Sequence, residues 1–61
     1  MPTVAIEMFP GRTGQQKAAL VAEVTGAVVK SLGVDAANVR VKIYEIPREH
    51  SAQGGRLASD S

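Results

Sequence analysis

The chain has 61 residues, of which 44% are hydrophobic, only 3% aromatic and none cysteine. A chain this short buries only about 60% of its unfolded surface, and without disulfides or thiolate-bound metal the remaining route to stability is association with copies of itself or a partner. Seven basic and six acidic side chains give a formal charge of +1 and no basic stripe of the kind that phosphate contacts demand, which argues against nucleic acid as a partner.

The first feature in chain order is Met1-Pro2. Loss of Met1 would leave Pro2 with a free secondary amine, a base and a nucleophile in one group. From Thr3 to Phe9 the residues alternate, with Val4, Ile6 and Met8 on one side and Thr3, Ala5, Glu7 and Phe9 on the other, which predicts a strand over 3–9. Pro10-Gly11 ends it. Thr13-Gly14-Gln15-Gln16 reads as a capping box, in which the Thr13 hydroxyl accepts from the Gln16 amide while the Gln16 side chain reaches back.

A helix over 14–32 follows, with Leu20, Val21, Val24, Ala27, Val28, Ser31 and Leu32 forming its apolar stripe and Lys17, Glu23 and Lys30 left for solvent or a subunit contact. Gly33 supplies the stop. Gly26, inside the helix, is read either as a point of close backbone packing or as a tolerated defect. Beyond the Asp35–Asn38 loop the alternation returns over 39–46, with Val39, Val41 and Ile43 facing one way and Arg40, Lys42, Tyr44 and Ile46 the other. Past Pro47 the chain is polar and carries the turn signal Gly54-Gly55, which predicts a short C-terminal hairpin or an arm onto a neighbour.

Strand, long helix and strand predict an α+β fold built on a βαβ unit with parallel strands, in one domain spanning 1–61. Such a unit has two open edges, and its helix covers only one face of the sheet, so the sequence calls for a dimer at least. No apolar run approaches the roughly 20 residues of a spanning helix, and no basic segment precedes an apolar stretch at the start. The expectation is a cytoplasmic protein with no membrane partner.

Pro2, the Gly11-Arg12-Thr13 turn, Gln16-Lys17 at the helix start, Val39-Arg40-Val41, and the Gly54-Gly55 and Leu57-Ala58-Ser59 tail together give a pattern that resembles 4-oxalocrotonate tautomerase and its small homologues. The resemblance covers essentially the whole chain without a gap. It implies a protomer that pairs into a four-stranded sheet with two helices, three such pairs forming a homohexamer with active sites between subunits. It implies a cofactor-independent and metal-independent isomerase, with a place in the catabolism of aromatic compounds. Processed Pro2 would be the catalytic base, moving a proton from the enol of a dienol acid to a more distant carbon. The arginine matching Arg12 would grip a distal carboxylate, and the one matching Arg40 would hold the carboxylate and carbonyl end, the two coming from different chains.

Elementary chemistry supports these roles. An α-amino group titrates at about 7.7 to 8.0, a proline secondary amine is expected higher, and both an apolar surround and neighbouring guanidinium groups disfavour the ammonium and push the pKa down. A neutral amine is what proton abstraction needs. Arginine presents a planar fork to two carboxylate oxygens, keeps its charge, and stabilises a developing dienolate.

Two departures from the family pattern bear on the site. Ser51 follows His50 where the family has a large aromatic wall, and Pro10 replaces an acidic residue before the Gly-Arg turn. Phe9, where a smaller aliphatic residue is usual, is expected to refill part of the space left at Ser51, so Phe9 and Ser51 join Arg12 and Arg40 as candidate substrate contacts. His50 reads as a surface histidine, Lys42 and Tyr44 as interface residues, and Arg48 and Arg56 as solvated tail charges. The leading expectation is enol-keto isomerisation of a 2-hydroxydienoate or an arylpyruvate-type acid. A hydratase or dehalogenase of the same superfamily is the alternative, needing an acid such as Glu7 or Glu45 to activate water, and a non-catalytic oligomeric binding module is the other. An iminium formed at Pro2 is a chemically allowed side activity.

Overall fold

The computed structural model describes residues 1–60. Alternation makes Thr3–Met8 a strand, β1, with Val4, Ile6 and Met8 half-buried and Thr3, Ala5 and Glu7 exposed. The chain turns through Phe9–Arg12 into helix α1, Gly14–Leu32. Its start is a capping box: the Thr13 hydroxyl accepts from the Gln16 N–H at 3.0 Å, and the Gln16 side-chain oxygen accepts from the Thr13 N–H at 3.0 Å. Its end is Gly33, held in the left-handed region at φ 67°, with its N–H donating to the Val29 carbonyl at 2.9 Å. A side chain with a Cβ is strained there, which is why glycine stops this helix.

A 3-10 turn at Ala36–Asn38 leads into strand β2, Arg40–Glu45, which pairs with β1 in parallel from Thr3↔Arg40 to Met8↔Glu45. Both strands stop short of their alternation. The Val39 N–H closes the 3-10 turn on the Ala36 carbonyl, while Ile46 donates to Met8 at 2.8 Å beyond the last strand pair. The connection, a helix between two parallel strands, is the βαβ unit expected from the sequence.

Helix α1 shelters one side of this sheet, where Val4, Ile6, Met8, Val41 and Ile43 are half-buried. Its own half-buried set is Lys17, Leu20, Val21, Val24, Thr25, Val28 and Val29, at three- and four-residue spacing. This corrects the stripe read from sequence at three positions. Ala27 lies at its edge and is exposed, and Ser31 and Leu32 keep its phase but sit in the last turn, where Leu32 is 62% exposed. Lys17 is drawn in by an ion pair with Glu45, 2.8 Å long, which ties the start of α1 to the end of β2.

After Pro47 a 3-10 turn at Arg48–His50 leads to a hairpin of β3, Ala52–Gln53, and β4, Arg56–Leu57. Gly54 and Gly55 join them at φ 62° and 81°, the paired positive values that a two-residue hairpin turn of the right twist requires. Ala58 donates to the Ser51 carbonyl at 2.8 Å and lengthens the ladder.

None of the described residues is fully buried. The accessible surface is 4693 Å², against about 3,800 Å² for a compact monomer of this mass. The radius of gyration is 14.6 Å, against about 10.5 Å for a globule of this length. The second face of the sheet, Thr3, Ala5, Glu7, Arg40, Lys42 and Tyr44, is open. Among the described residues no helix is long and apolar enough to cross a membrane.

Candidate active site

The candidate residues fall into two groups at opposite ends of the β1–β2 pair. At the start of β1, the Pro2 carbonyl accepts from the Arg40 N–H at 2.9 Å. This bond continues the parallel ladder one step before Thr3↔Arg40, so the pairing of the strands brings the two residues together. Pro2 is half-buried, whereas Met1 is 82% exposed. With Met1 attached the Pro2 nitrogen is an amide and can neither take a proton nor attack carbon. Arg40 shares the open face with Lys42 and Tyr44, the latter 47% exposed.

The second group lies past the other end of β1, where four clefts open around Met8–Arg12 and the residues after β2. A cleft of about 290 Å³ is lined by Glu7, Met8, Phe9, Ile46 and Ser51. Phe9 and Ser51 meet again in a neighbouring cleft with Arg56. Phe9 and Ser51 thus share two clefts, and the space between the ring and the small residue stays open. Arg12 lines two clefts, one with Gln16, Lys17 and Leu20 of α1 and one with Phe9 and Arg48.

Arg48, read from sequence as a tail charge, lies with its guanidinium carbon 4.4 Å from the centroid of the Phe9 ring. Such a contact contributes about 0.5–1 kcal/mol at an exposed site and orders a long side chain that would otherwise sample many rotamers. The only signal for it in the sequence is the strand register: pairing Met8 with Glu45 sets Phe9 across from the segment leading to Arg48.

The other candidates separate cleanly. Glu45 is engaged by Lys17, while Glu7 lines the cleft shared by Phe9 and Ser51. Arg56 donates to the Asp60 carbonyl at 3.2 Å. His50 is exposed on the 3-10 turn and lines none of the four clefts. No cluster of three or more His, Cys, Asp or Glu among the described residues could hold a metal ion.

Pro2 and Arg12 do not meet within one chain. At about 3.3 Å per residue, the six residues of β1 separate the two groups by a strand's length, further than an arginine side chain reaches. A site that uses both must draw on two chains.

A proline at the start of β1 beside a strand arginine, on a minimal βαβ frame with an open sheet face, defines a class of small α+β subunit. The model of the family described as tautomerase enzyme matches residues 2–61, beginning at Pro2. A probable tautomerase of Bradyrhizobium diazoefficiens is 45% identical over 56 residues, covering 92% of this chain and 84% of the relative. The 2-hydroxymuconate tautomerase of Comamonas testosteroni is 40% identical over 60 residues, covering 98% and 95%. A solved structure of a heterohexamer 4-oxalocrotonate tautomerase from Chloroflexus aurantiacus superposes with a TM-score of 0.90 at 33% identity, covering 98% of this chain and 97% of that one. The chain belongs to the tautomerase family.

Proposed function

We propose that this protein is a cofactor-independent cytoplasmic isomerase that ketonises a 2-hydroxydienoate or arylpyruvate-type enol acid. Removal of Met1 turns the Pro2 amide into a secondary amine, the general base. The amine takes the proton of the enol hydroxyl. The oxygen's electron pair becomes the carbonyl π bond, and the prolinium returns the proton to carbon: the far end of the shifted double bonds in a dienoate, the carbon beside the new carbonyl in an arylpyruvate enol. Arg40 stabilises the oxygen as negative charge builds on it, and Arg12 of another chain holds the remote carboxylate. Phe9 and Ser51 line the space between.

The observation that carries this reading is the pairing register. It sets Arg40 beside Pro2 through a 2.9 Å backbone bond while leaving Arg12 at the far end of the strand. An assembly in which open sheet faces and edges meet would bring the two ends together, and a homohexamer of three dimers is the form we assign. The surface in excess of a compact monomer is consistent with it, as is the heterohexameric relative.

The test is a spectrophotometric assay of 2-hydroxymuconate and phenylenolpyruvate with wild type and Pro2→Ala, accompanied by intact mass. The expected result is a processed wild type that turns over an enol and a variant that does not. Equal rates in the two proteins, or Met1 retained throughout an active population, would remove Pro2 as the base.

A further inference from the structure

The cleft formed by Met8, Phe9, Pro10, Gly11, Arg12 and Arg48, about 350 Å³, is lined by two arginines, and the Arg48 guanidinium lies over the Phe9 ring. No carboxylate lines it. The only ion pair among the described residues is Lys17–Glu45, so neither Arg12 nor Arg48 is neutralised by a described side chain. Arg56, the other arginine of the tail, is by contrast tied to the Asp60 carbonyl. Arg48 is also held in place on both sides: its backbone follows Pro47 in a 3-10 turn closed by the His50 N–H on the Pro47 carbonyl at 2.8 Å, and its guanidinium lies over Phe9.

A planar guanidinium stacked on a ring keeps its edge N–H groups free, and two such forks on one small cleft suit a carboxylate better than one. Phe9 beneath Arg48 excludes water on one side and offers an apolar contact to the carbon chain that bears the carboxylate. Pro2 of the same chain lies a strand's length away, further than a short dienol diacid spans, so the cleft suits the remote end of a substrate whose enol meets the Pro2 of another chain.

We propose that Arg48 is a specificity-determining residue that joins Arg12 in binding the remote carboxylate of a dicarboxylate substrate, and that Phe9 holds it for that role. The inference rests on the tautomerase reading for the identity of the substrate, though not for the binding itself. It assigns the cleft to chain-like diacids over acids that end in a neutral aryl group.

The experiment uses the full chain and two non-reacting probes, adipate with two carboxylates and hexanamide with none, titrated by NMR shift changes into wild type, Arg48→Ala and Arg48→Lys. Loss of a charge-assisted contact predicts that Arg48→Ala weakens adipate about tenfold. Hexanamide binding is expected to be unaffected. Arg48→Lys, which keeps the charge but not the fork, falls between and guards against a variant that fails to fold. Equal losses for both probes, an unchanged adipate affinity in Arg48→Ala, or no adipate binding by wild type would overturn the proposal. In parallel, Arg48→Ala is expected to raise KM for 2-hydroxymuconate while leaving phenylenolpyruvate unaffected; a KM raised equally for both overturns it. A wild type inert toward both enols breaks the proposed activity instead, and the titration then judges Arg48 alone.

Discussion

The two ends of the β1–β2 pair are built for different work. At the Pro2 end the backbone ladder does the positioning: one bond from Arg40 fixes the proline, and neither residue lines any of the four clefts. At the Phe9 end side chains do it: a ring, two arginines and a small serine surround open space. One end holds the proline and lies outside the four clefts, and the other holds those clefts and the arginines that line them. The difference teaches that within one chain the proline and the arginine-lined clefts lie a strand's length apart, the gap that a site shared between chains would close.

The largest effect should come from the base. Pro2→Ala is expected to lower kcat by roughly 10²- to 10⁴-fold, the usual contribution of a positioned general base. In wild type kcat/KM should fall as the pH drops and the amine becomes charged, and this limb should vanish in the variant. A variant that keeps both rate and limb breaks the assignment of the two ends.

Arg12→Ala is expected to cost roughly tenfold to a hundredfold in kcat/KM, the worth of a charge-assisted contact. The sharper test mixes the two damaged proteins. If Pro2 and Arg12 of one site belong to different chains, co-refolding equal amounts of Pro2→Ala and Arg12→Ala leaves roughly one site in four with both residues intact. Activity well above the average of the separate variants is expected. No gain in a mixture shown by mass spectrometry to contain both chains would mean that each site is served by one chain. Phe9→Ala should have a smaller effect, lowering the rate several-fold. It should also move the acidic limb of the pH profile upward, because a wetter surround favours the charged amine. An unchanged profile and rate would strip Phe9 of its part in the pocket.

What could be read from the sequence was what neighbours in sequence decide. Thr13 and Gln16 sit three residues apart, so their capping box needs only a helix to form, and Gly33 stops that helix with its own backbone. The alternation of Val4, Ile6 and Met8 against Thr3, Ala5 and Glu7 is likewise local, and so is the hairpin turn at Gly54-Gly55. Strand ends were less legible, because the bonding of Val39 and Ile46 depends on the turn and partner strand beside each. The helix stripe failed at its last turn, where periodicity specifies direction but not whether anything lies there to cover Leu32. Arg48 was invisible for a related reason. Its partner Phe9 lies in another strand's turn, and only the register connects them. Pro2, Arg12 and Arg40 were recognisable as a familiar set, yet the nearness of Pro2 to Arg40 and its distance from Arg12 emerge only when the strands are paired.

The smallest effect concerns a place away from both ends. Gly26 lies in the interior of α1, and a Cβ built there meets no heavy atom within 4 Å. Nothing in its own chain therefore requires glycine. In an exposed helix interior, Gly26→Ala should stabilise each chain by about 1 kcal/mol, since alanine loses less backbone freedom on folding. Denaturant unfolding at fixed protein concentration measures this directly. A loss of stability instead, accompanied by a concentration-dependent midpoint, would mean that another chain's backbone packs against Gly26. The contrast between a finished protomer surface and an unfinished one would then extend from the sheet to the helix, and the assembly would have to bury α1 as well as the open face of β1 and β2.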